Sequence, residues 1–86
     1  MAAYADDDHD HERARRLQAD GVIVPLEQIM AKAQQAYPNS EVLEVEFEDK
    51  KQTLIYELEI VDQSGVVREL YFDARTAELI KDQRED

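Results

Sequence analysis

Between residues 26 and 37 the apolar side chains Leu26, Ile29, Met30, Ala33 and Tyr37 recur at i, i+3, i+4, i+7 and i+11. That spacing lines one face of a helix, and Glu27, Gln28, Lys32, Gln34 and Gln35 fall elsewhere around it. Pro25 suits the first turn, where a missing N–H costs nothing, and Pro38 ends the helix because the residue before a proline is pushed out of helical geometry. After Ser40 the period drops to two. Leu43, Val45 and Phe47 alternate with Glu44, Glu46 and Glu48, which predicts a strand with one face in a core and the other in water. Beyond the polar turn at residues 49–52, Leu54, Tyr56, Leu58 and Ile60 alternate with Ile55, Glu57, Glu59 and Val61. A second turn at residues 62–65 leads to a third strand with Val66, Leu70 and Phe72 on one face. Two successive hairpin signals predict an antiparallel meander. A short fourth strand is expected at residues 78–81.

The N-terminal stretch Asp6–Glu12, DDDHDHE, has no apolar residue and is expected to be disordered. Ala14 and Leu17 give a short helix over residues 13–20, with Gly21 as its C-terminal stop. Val22 and Ile23 form an apolar connector, and residues 82–86 read as a charged tail. Residues 13–81 are thus expected to form one α+β domain. One main helix, preceded by a short N-terminal helix, packs on a three- to four-stranded antiparallel meander. Residues 1–12 form an acidic leader. Ala3-Tyr4-Ala5 fits the small-residue pattern before a signal-peptidase cut, so residues 1–5 read as a signal-peptide remnant and the setting as periplasmic or secreted.

A single helix covers a single sheet face. The opposite face is expected to be exposed, with Ile55, Val61, Val67 and Tyr71 set among Glu57, Glu59 and Glu69. The first strand adds only glutamates. These seven residues are the candidate partner surface: an apolar patch in an acidic frame. An open sheet edge is a further route, since it can accept a partner's strand.

Charge sharpens this picture. The chain has 86 residues, 21 of them acidic and 10 basic, for a formal net charge of −11. Nucleic-acid binding relies on Lys and Arg displacing counterions, so a polyanion is repelled. No apolar run approaches the ~20 residues needed to cross a bilayer. With no cysteine there is neither disulfide nor thiolate metal site.

No catalytic constellation is visible. Both serines, Ser40 and Ser64, lie in predicted turns, and both histidines lie in the leader. A Ser-His-Asp arrangement needs a scaffold to fix the histidine, and a general acid needs a pocket that raises its pKa. The two glycines, Gly21 and Gly65, make no phosphate loop. An enzyme is therefore not expected, and no cofactor is implied. The leader offers the one ligand set: His9 and His11 with Asp8 and Asp10 supply nitrogen and oxygen donors, so weak divalent-metal binding is expected there.

Three runs of residues resemble the PepSY domain family. Pro25-Leu26-Glu27-Gln28-Ile29, Tyr37-Pro38-Asn39 and Glu41-Val42-Leu43-Glu44-Val45-Glu46-Phe47 are similar to its helix and first strand. Tyr56-Glu57-Leu58-Glu59-Ile60 is similar to its second strand. Glu69-Leu70-Tyr71-Phe72-Asp73-Ala74-Arg75-Thr76-Ala77-Glu78-Leu79-Ile80 resembles its closing Asp-Ala-x-Thr-Gly-Glu segment. Asn39 and Ala77 stand where the family usually has glycine; Ala77 implies a strained or altered last turn. The resemblance covers residues 22–81. It implies one helix on an antiparallel sheet, an envelope or extracellular setting, and a stand-alone member of a family found in peptidase propeptides. It carries over no catalytic residue, and it implies structural roles for Asp73 and Thr76. The expected function is a non-catalytic, periplasmic regulator or inhibitor that binds a peptidase or other envelope protein. Two alternatives are a metal or ligand sensor using the His-Asp leader, and a homodimeric structural module.

Overall fold

A computed structural model of the chain describes residues 5–50 and 52–85, with side chains from His11 onward. The element order is α1 (Ala5–Ala19), α2 (Leu26–Ala36), β1 (Glu41–Lys50), β2 (Thr53–Val61), β3 (Val67–Asp73) and β4 (Leu79–Arg84). The four strands form one antiparallel sheet in the order β1-β2-β3-β4, the expected meander. Both helices contribute to the same core, so both lie on one face of the sheet.

Pro25 proves to be the N-cap of α2, with extended φ and ψ of −61° and 146°. The predicted stripe is the buried one: Ile29 and Ala33 are fully enclosed, while Leu26, Met30 and Tyr37 pack at the margin. At the far end the Tyr37 N–H donates to the Ala33 carbonyl, and Asn39 reverses the chain at φ 65°. Phe72, Leu58, Ile60 and Leu70 complete the fully buried centre. Phe47 and Tyr56 close it at one end, with tilted rings 5.4 Å apart between centroids. Ile23, in the connector between the helices, is also buried, and the Val24 N–H donates to the Ala74 carbonyl at 2.8 Å.

Four expectations need correction. Asp6–Glu12 is not disordered; α1 runs back through it for 15 residues in all, so the N-terminal helix is the longer of the two. Acidic residues gather at its start and Arg13, Arg15 and Arg16 toward its end, which complements the helix dipole at both termini. Composition alone hid that gradient. Leu43 is not a core residue but is 52% exposed, because the pairing slips between Val42 and Glu44. This bulge gives the core position to Val42 and leaves Leu43 outside the alternation. Residues 82–84 are not a tail: they belong to β4, where Leu70 pairs with Asp82, Glu69 with Gln83 and Arg68 with Arg84. Ile55, expected to be exposed, is 8% exposed although it points away from the main core.

The signal-peptide reading turns on Ala3 and Tyr4, which lie outside the described residues.

Candidate functional site

Pairing register sets the uncovered sheet face in rows. Glu44 on β1 pairs with Glu59 on β2, which pairs with Glu69 on β3, which pairs with Gln83 on β4. The next row is Glu46, Glu57, Tyr71 and Lys81, and the one beyond it is Glu48, Ile55 and Asp73. At the opposite end Val61 faces Val67, and the Glu85 N–H extends the ladder by donating to the Val67 carbonyl at 2.9 Å. All seven predicted partner residues therefore do come together on one face. Glu57, Glu59, Val61, Val67, Glu69 and Tyr71 are half-buried, and Ile55 is buried between its neighbours.

Carboxylates converge on this face in two trios. Glu46, Glu48 and Glu57 have oxygens within 4.8 Å of one another, as do Glu59, Glu69 and Glu85. Like charges this close favour protonation. Glu57 is raised above the usual carboxylate range, first by partial burial and then by Glu46, Glu48 and Glu69. Glu85 is pushed up to about 7, mainly by a hydrogen bond with Glu59, then by partial desolvation and the charges of Glu59, Glu69 and Glu44. Gln83 donates from Nε2 to Glu69 Oε1 at 3.0 Å. Tyr71 stands between the trios with its phenol raised by burial and by Glu57 and Glu69. Lys81 places its Nζ 5.4 Å from the centre of the Tyr71 ring.

Beyond those seven, this face also carries Glu46, Glu48, Lys81, Gln83 and Glu85. Glu46 and Glu48 were legible from the alternation. Lys81, Gln83 and Glu85 also alternate, but charge at the chain's end masked the strand.

On the helix side the contrasting feature is a polar clamp. Arg68 donates from Nε to Asp62 Oδ2 at 3.2 Å and from Nη1 to Asp82 Oδ1 at 3.1 Å, and its guanidinium lies 4.8 Å above the Tyr37 ring. The Tyr37 hydroxyl donates to Asp82, which raises the phenol's pKa. Asp62 is held below the usual carboxylate range, first by the Val66 N–H and also by Arg68. The clamp ties the end of α2 to β3, β4 and the β2–β3 turn, which is a structural job. The closing turn is likewise structural: Asp73 Oδ1 accepts from the Arg75 N–H at 2.8 Å and Thr76 Oγ1 from the Glu78 N–H at 3.2 Å.

Of the expected metal ligands, Asp8, His9 and Asp10 lie among residues whose side chains are not described, and His11 is exposed on α1. His11 rims an apolar groove of 280 Å³ floored by Leu26, Val45, Phe47 and Tyr56. Ser40 and Ser64 lie outside the helices and strands, and no polar or charged side chain is buried among the described residues.

These features define a small two-layer α+β module in which carboxylates gather on the sheet face opposite the helices. The chain belongs to the PepSY family: the family's model, described as the peptidase propeptide and YPEB domain, matches residues 23–83. No curated protein and no solved structure matches it significantly.

Proposed function

We propose that this protein is a non-catalytic regulator that binds a peptidase or another envelope protein through the open face of its sheet and restrains it. The observation that carries this reading is a four-stranded face left uncovered by both helices and crossed by rows of glutamate around Tyr71. The family's description names peptidase propeptides, which supports a peptidase as the restrained partner; the setting proposed for it is periplasmic or secreted. The face is favoured over the edges. Both edge strands carry register irregularities, between Val42 and Glu44 in β1 and opposite Tyr71 and Phe72 in β4. Bulges of this kind blunt an edge against strand addition.

The test uses the wild-type chain and Tyr71→Glu as paired baits on an envelope extract, with captured proteins identified by mass spectrometry. The expected result is a peptidase retained by the wild type, lost with Tyr71→Glu, and slowed by added wild-type protein. Identical capture by both baits overturns the placement on the sheet face. Capture without any slowing overturns the restraint.

A further inference from the structure

We propose that the open sheet face docks an extended segment of a protein partner rich in lysine and arginine, and that Tyr71 is the platform of a cation position which the chain's own Lys81 occupies until the partner arrives. This rests on the reading of that face as the partner surface and adds the partner's chemistry to it.

The first support is charge. Glu44, Glu46 and Glu48 on β1 face Glu59, Glu57 and Ile55 on β2, and Glu69 continues on β3, so like charges sit directly opposite across the sheet. Such pairs are unfavourable in isolation. A cationic segment laid on them relieves the repulsion, whereas an anionic or purely apolar one does not. The second support is spacing. Same-face residues of a strand repeat every ~6.7 Å, and an extended peptide repeats its own same-side residues at that interval. Alternate cations in a partner therefore match successive glutamate rows. The third support is Lys81. It projects from the edge strand β4, pairs in register with Tyr71, and lies over the Tyr71 ring at 5.4 Å. Its backbone neighbour across the sheet, Tyr71, is itself opposite Glu57. A cation is thus already seated over the aromatic ring beside the carboxylates, on a long and exposed side chain that a partner's cation can displace.

Fluorescence polarisation of a labelled peptide in which arginine alternates with threonine, measured on the full chain at low salt, tests the proposal. The same peptide with glutamate in place of arginine is the control. The arginine peptide is expected to bind and to weaken as salt rises. Glu57→Gln combined with Glu69→Gln is expected to weaken it by about fivefold or more, in line with the loss of two ion pairs. Glu27→Gln with Glu78→Gln makes the same change in net charge at residues away from the rows, and is expected to shift binding by less than about twofold. Lys81→Ala should tighten binding severalfold, while Lys32→Ala on α2 leaves it nearly unchanged. Far-UV circular dichroism of each variant checks that it is folded.

Equal weakening by the two double variants means unspecific attraction to an acidic protein and overturns the proposal. So does looser binding in Lys81→Ala. No binding of the arginine peptide also overturns it, but Tyr71→Glu would then still report on the face itself. If that variant continues to lose the captured peptidase, the face binds protein without selecting cations.

Discussion

Ala77 sits in the turn between β3 and β4 with a φ of 69°, its N–H donating to the Asp73 carbonyl at 2.8 Å. A left-handed conformation costs a residue with a Cβ roughly 1–2 kcal/mol. Its methyl group is fully buried, and each buried carbon contributes about 0.8 kcal/mol. The two effects oppose one another, and the strain is the larger. Ala77→Gly is therefore expected to stabilise the protein by up to about 1 kcal/mol, read as a higher urea midpoint at unchanged slope. A lower midpoint would mean that methyl packing outweighs the backbone strain. The departure from the family's usual glycine was legible in the sequence, because an alanine at a position suited to glycine leaves only a strained or an altered turn. Asn39 differs: its φ of 65° is one that asparagine adopts at little cost, so its departure from the family pattern is nearly silent.

Whole elements were most legible where the period was clean. The helical stripe from Leu26 to Tyr37 and the alternation from Leu54 to Val61 each correspond to the observed element. Legibility failed where a single residue interrupted the period or where charge hid it. In β1 the alternation assigns Leu43 to the core, yet the slip at that residue turns it outward, and nothing in a string of alternating residues marks a bulge. In β4 an exposed strand of mostly polar residues has no apolar stripe to announce it; the clamp of Arg68 on Asp82 is a tertiary contact. In α1 the apolar signal of Ala14 and Leu17, both of which join the core, stops short of residues 6–12, where only the order of the charges favours a helix. Alternation alone places the seven residues of the candidate face on one side of the sheet, though not the burial of Ile55, whereas Glu85 and Lys81 depended on recognising β4. The bulge gives a direct comparison. Leu58→Ala, at a fully buried site, is expected to cost about 2–5 kcal/mol, while Leu43→Ala should stay within about 0.5 kcal/mol. Comparable losses in chemical denaturation would place Leu43 in the core and remove the bulge from the fold.

At the scale of the molecule, the acidic face sets how stability responds to pH. Glu85 has its pKa raised from 4.5 to about 7, and Glu57 is raised as well. For a carboxyl whose folded pKa lies above its unfolded value, the folded chain holds the proton more tightly, so stability falls as pH rises between the two values. Asp62 acts in the opposite sense. Its folded pKa is depressed, so its contribution is present above its ordinary 3.8 and is lost only as pH falls below that. The favourable window therefore lies on the acid side, below the Glu85 titration and above the loss of Asp62. The melting temperature is expected to be higher near about pH 5 than near about pH 8, against the more common trend for proteins stabilised by paired carboxylates. Glu85→Gln should raise the melting temperature near pH 8 and leave it almost unchanged near pH 5, which narrows the difference. Added salt should likewise help more on the alkaline side, where the repulsion it screens is greatest. Calorimetric melts of the wild type and Glu85→Gln at both pH values decide the matter. A wild type more stable at the alkaline value, or a Glu85→Gln difference as wide as the wild type's, would show that the crowding of Glu59, Glu69 and Glu85 does not govern the response. A cationic partner should act in the same direction as protonation. Its docking neutralises the carboxylates that repel, so it is expected to release a proton near neutral pH and to bind less tightly once Glu85 is already protonated.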